Sequence, residues 1–118
     1  MAEELPVYRV KLDPLKMGDP TVEKTSVLPS RIFLDPQLKP AATRVLGLLA
    51  SVAEWNGHRY VRVGWLANHL GITERSVRRH LSNLKAAGYI TSEPLYDDTG
   101  RQGINRYRII LDDQEGKD

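Results

Sequence analysis

Two short helical segments with almost nothing between them constrain this chain more than any other feature. Trp65 to Leu70 carry apolar side chains at helical spacing, Gly71 interrupts them, and a second helical period starts after Thr73. A link this short, with glycine in it, makes the two helices cross at a large angle and share one core. Thr73 is placed to cap the second helix, and Glu74 follows in the first turn, where the helix dipole favours a negative charge. The second helix is expected to run to Ala87, with Gly88 closing it. Leu66, Leu70 and Ile72 supply apolar contacts from the first helix and the turn, and Ala67 is small enough to let the helices approach. On the second helix Val77, Leu81 and Leu84 fall within about 60° of arc and form its core face.

The opposite side of that second helix has a different chemistry. Arg75, Arg79, Ser82 and Ala86 point away from the core, with Ser76, Arg78 and Asn83 on the flanks. Guanidinium groups, small hydroxyls and an amide are the side chains that pair with phosphates, guanine edges and adenine edges. Small residues between the arginines let such a helix sit deep in a groove.

The flanking sequence completes a small α+β layout. A helix is expected from Pro40, since proline is tolerated in a first helical turn. Its apolar positions Val45, Leu48, Leu49 and Val52 recur at helical spacing, and Asn56-Gly57 reads as its end. His58 to Val63 alternates apolar and polar, as a short strand does. After Gly88, Tyr89 to Glu93 and Ile104 to Leu111 read as two strands joined through the turn signal Asp97-Asp98-Thr99-Gly100. The second of them alternates, with Tyr107, Ile109 and Leu111 on one face and Arg106, Arg108 and Ile110 on the other. Five of the seven prolines lie in residues 1–39, and residues 1–28 show no helical period. They are expected to be an arm, either flexible or ordered against a partner, with a possible strand at Val7 to Leu12. The domain is expected at 29–111 and an acidic tail at 112–118.

The formal net charge of +2 conceals how charge is distributed. Residues 29–111 carry twelve basic and six acidic residues, whereas the arm and the tail are both net negative. A basic domain is one footprint of nucleic-acid binding.

The run from Leu66 to Ile90, with Leu-Ala, Leu-Gly-Ile, the spaced Val77, Leu81 and Leu84, and Gly-Tyr-Ile, resembles a winged helix-turn-helix. It is similar to the modules of bacterial and archaeal transcription regulators and of plasmid or phage replication initiators, and Asn105 to Ile109 looks like the return strand of the wing in the latter. The resemblance covers roughly residues 29–111. It implies a three-helix core with a short strand and a C-terminal two-stranded β wing. It further implies that the helix from Thr73 enters the major groove of double-stranded DNA, where Thr73, Glu74, Arg75, Ser76, Arg78 and Arg79 meet base edges. Ser82 and Asn83 complete that face, and Arg101 in the wing reaches the flanking backbone or minor groove. Asp97 and Asp98 beside Arg101 are repelled by phosphate, which confines wing contact to Arg101 or removes it.

The expected function is sequence-specific duplex binding, in transcription regulation or in replication initiation and plasmid maintenance. The alternative is a winged helix that docks protein or RNA. One small module buries a small interface, so a homodimer or a cooperative array on repeated sites is expected. The N-terminal arm and the first helix are both open as dimer surfaces. Other classes find no support. The chain has no cysteine, hence no disulfide, thiolate zinc site or cysteine nucleophile. His58, His69 and His80 lack a metal-ligand pattern, and His80, at the edge of the core face, is either a packing residue or a phosphate donor. Arg59 and Arg62 are open between phosphate contact and plain surface. Trp65 is expected to pack. No acid–base constellation is present, so neither an enzyme, a cofactor nor a small-molecule ligand is expected. The apolar runs are far below the roughly 20 residues that span a membrane. The acidic N-terminus is no signal peptide, and a cytoplasmic protein is expected.

Overall fold

The computed structural model of the chain describes residues 18–100 and 102–111. Most of the arm, Arg101 and the tail expected at 112–118 lie outside them. A 3-10 turn at Ser30–Leu34 precedes helix α1, Pro40–Ser51, whose Pro40 stands in the first turn as its missing N–H allows. Strand β1 is Arg59–Val61, helix α2 Val63–Leu70 and helix α3 Glu74–Ala86. Strands β2, Ile90–Tyr96, and β3, Gln102–Ile109, follow. Three helices and an antiparallel sheet thus form the expected α+β arrangement.

The link between α2 and α3 is built as its residues dictate. Gly71 takes a left-handed conformation, φ 71°, and its N–H donates to Ala67 O at 2.9 Å, ending α2. Thr73 then caps α3, its hydroxyl oxygen accepting from the Ser76 N–H at 3.0 Å. Val45, Leu46 and Leu49 of α1, Leu66 of α2, and Val77 and Leu84 of α3 are fully buried in one core, closed on the sheet side by Val61, Ile90 and Tyr107.

One local expectation is corrected. Helix α1 stops at Ser51, not at Asn56-Gly57. Val52 is extended and pairs with Val22, and the Ala53 N–H donates to Thr21 O at 2.8 Å. Asn56 and Gly57 are both left-handed and turn a tight hairpin, in which Trp55 and His58 exchange backbone hydrogen bonds of 2.7 and 2.9 Å. Two consecutive positive φ values are what a primed hairpin turn needs, and Asn-Gly supplies them as readily as a helix end. The expected short strand has its partner in the wing. β1 joins the wing strands in a three-stranded sheet of order β1-β3-β2, with Arg59 opposite Tyr107 and Val61 opposite Asn105. β2 is an edge strand, which accommodates Pro94.

The 3-10 turn is fastened to the far end of α3. The Arg31 guanidinium lies 4.0 Å from the Tyr89 ring centroid and donates to Gly88 O at 3.0 Å. Tyr89 in turn donates its hydroxyl to Asp35 Oδ2 at 2.9 Å. Burial, reinforced by that hydrogen bond and by the Asp35 charge, raises the Tyr89 pKa.

Candidate nucleic-acid interface

Helix α3 presents two adjacent polar strips. One carries Arg75, Arg79, Ser82 and Ala86, all exposed, at the spacing of one helix face. The other, Arg78, Ser82 and Lys85, looks across an open groove toward the wing. Asn83 is exposed beside them and Ser76 is half-buried. Val77, His80, Leu81 and Leu84 fill the core side. His80 therefore packs: it is 4% exposed, and burial, with Arg79 and Lys39 adding to it, lowers its pKa.

At the N-terminus of α3 several predicted residues already have partners. The Thr73 hydroxyl accepts from the Ser76 N–H and donates to Ser76 Oγ at 3.1 Å. Glu74 pairs with Arg78 at 3.2 Å, one helical turn along. The same carboxylate lies against the first turn of α2, where a side chain on Gly64 would put a Cβ 2.9 Å from Glu74 Oε2. The positive end of the α2 dipole favours a carboxylate there. The Glu74–Arg78 pair is exposed on both sides, so it contributes at most about 0.5 kcal/mol and leaves Arg78 easily recruited to another anion.

The groove between α3 and the sheet holds about 500 Å³. Arg62, Arg78 and Lys85 line it with Ser82, Ser92 and Asn105, and among the described residues no carboxylate lines it. Arg62 is there because it is the residue from which α2 starts. On the groove floor the Tyr107 hydroxyl accepts from Asn105 Nδ2 at 3.1 Å. Burial pushes the Tyr107 pKa up to about 12, against the opposing pull of Asn105 and Arg78, so the phenol remains protonated and adds no negative charge. Three cations line this groove against one carboxylate at its edge, Glu74 beside Arg78, and that excess of positive charge suits a polyanion backbone.

Among the residues singled out in the sequence, Arg75, Ser76, Arg78, Arg79, Ser82 and Asn83 share one helix with Glu74, beginning just after Thr73. Arg101 lies outside the described residues. The wing turn beside it is an Asx turn, with the Thr99 N–H and hydroxyl both donating to Asp97 Oδ1. Arg59 donates its Nε to Val52 O at 3.0 Å and thereby ties β1 to the end of α1. Lys85 and Asn105 escaped the sequence reading. Lys85 was readable seven residues after Arg78 on the same helix strip, whereas Asn105 enters the groove through the sheet. Trp65 packs against the core, and its ring lies 4.1 Å from that of His69. Among the described residues, no group of His, Asp or Glu is arranged to hold a metal, and no helix is long and apolar enough to cross a membrane.

Residues 37–90, from just before α1 to the start of β2, match the model of a protein family described as a helix-turn-helix domain. The chain contains a helix-turn-helix domain. With the β2–β3 hairpin packed against its three helices, this helix-turn-helix domain has winged-helix architecture. Such a domain is a DNA-binding, non-catalytic kind of module. No curated protein and no solved structure matches the chain.

Proposed function

We propose that this chain binds double-stranded DNA in a sequence-dependent manner, with α3 entering the major groove and one phosphate backbone following the groove between α3 and the wing. The biological setting that fits is control of transcription or initiation of replication, including plasmid maintenance, in a cytoplasm. The observation that carries the reading is the juxtaposition on α3 of the exposed Arg75–Arg79 strip and the Arg78–Lys85 strip beside a groove lined by three cations. Base edges are reached by Arg75, Arg79, Ser82 and Asn83, while Arg62, Arg78 and Lys85 neutralise phosphates. Glu74, Thr73 and Ser76 set the start of the helix and stand close enough to its tip to touch the first base pair. Arg101 is assigned to the backbone next to the wing.

Selection from a random duplex pool tests this directly. A single enriched motif is expected, with affinity that falls linearly in log–log form as salt rises, by about 0.9 per phosphate neutralised. An unenriched pool, or preference for single-stranded RNA at equal salt, would remove the duplex reading and favour an RNA-binding or docking adaptor.

A further inference from the structure

The 3-10 turn displays two large, mostly exposed apolar side chains. Phe33 is 64% exposed and Leu34 83%. Phe33 stands at the rim of a mostly apolar groove of about 530 Å³, walled by Leu38, Pro40 and Thr43 at the start of α1, and Leu34 follows it in the chain. A protruding aromatic ring next to an apolar groove on the same surface is a knob and a hole at one place. Two copies related by a two-fold axis can satisfy both at once, since an isologous interface brings each patch against itself in reverse. The charges at the rim agree with that operation. Asp35 and Arg44 both line the groove. A patch that carries both an acid and a base on one rim is complementary in charge to a second copy of itself. Asp35 accepts from the Tyr89 hydroxyl and from the Gln37 N–H, both at 2.9 Å. Arg44 is exposed, with no ion pair or hydrogen bond among the described residues. Apolar anchors ringed by complementary charge are the usual anatomy of an interface.

We propose that the face formed by Phe33, Leu34 and the α1 groove binds a second copy of this chain. The fold leaves the duplex-binding side clear for this. Arg31 holds the turn at Gly88, beyond the C-terminal end of α3, whereas Arg75 lies in that helix's first turn. The pairing deepens the duplex-binding reading and rests on it only for its use, because two α3 helices in one particle read two half-sites where one module reads too little.

Light scattering on the full chain, without DNA, tests the face. Wild type is expected at twice the 13.3 kDa chain mass, and Phe33→Asp at one chain mass with an unchanged thermal melt. Arg44→Glu, which sets like charges together across the axis, is expected to lose the dimer as well. The chain has no cysteine, so Phe33→Cys and Thr43→Cys can be placed on separate chains, mixed and oxidised. A covalent dimer of mixed composition is expected. A monomeric wild type, or a dimer that survives Phe33→Asp, overturns the proposal. So does a cross-link from Thr43→Cys to Val10→Cys within one chain, which would make the N-terminal segment the occupant. A dimer that ignores every duplex overturns only the DNA reading, and a monomer that selects a duplex overturns only the face.

Discussion

At the scale of single residues, the two strips of α3 make different predictions. Arg75 and Arg79 are assigned to base edges, where losing one well-placed contact costs about 1–3 kcal/mol and relaxes discrimination at that position. Arg75→Ala and Arg79→Ala are therefore expected to weaken binding to the selected duplex while barely changing affinity for random duplex. Arg78→Ala and Lys85→Ala are expected to do the reverse. They should lower affinity for every duplex alike and flatten the salt dependence by about one phosphate contact each. Titrations against selected and random duplexes at several salt concentrations separate the strips. Equal loss on both duplexes from all four variants would mean that α3 touches backbone alone. Arg78 can be recruited to a phosphate, since its exposed pairing with Glu74 is weak.

At the scale of elements, the α2–α3 link decides whether those strips are presented at all. Thr73→Ala removes the acceptor for the Ser76 N–H and is expected to destabilise the fold by about 1 kcal/mol in denaturant unfolding. Gly71→Ala forces a Cβ into a left-handed backbone and is expected to destabilise the fold by about 1–2 kcal/mol, with a matching fall in midpoint. Gly71, Thr73 and the Val77–Leu81–Leu84 stripe are local signals, each acting within a few residues, and for that reason the helix-turn-helix was legible in the sequence. Elements defined by distant partners were not. β1 gains its place by pairing with β3, and no local pattern of Arg59 to Val61 names that partner. The end of α1 was misread because Asn56-Gly57 suits both a helix stop and a hairpin, and pairing of Val52 with Val22, far away in sequence, decides between them. The candidate interface divides in the same way. The α3 arginines were visible from helical spacing, while Arg62 and Asn105 join them only through tertiary packing.

At the scale of the whole molecule, stability and charge meet in two histidines. His80 is buried under α3, and His58, in the hairpin before β1, is held down by burial and then by the positive charges of Arg106 and Arg108, with Glu54 opposing. Both pKa values lie below the ordinary 6.5 that the unfolded chain would show. As pH falls through 6.5 the unfolded chain thus takes up protons before the folded one, and linkage lowers folding stability. Above that pH both states hold neutral imidazoles and the contribution is complete; below the two folded values it has been lost and levels off. Thermal melts are accordingly expected to be flat between pH 7 and 8 and to fall in midpoint as the pH is taken toward 5. His80→Leu, which fills the buried position without a titrating group, is expected to reduce that slope while leaving the neutral-pH melt close to wild type. A midpoint that stays level or rises on acidification, in wild type, would show that neither imidazole resists protonation in the folded state.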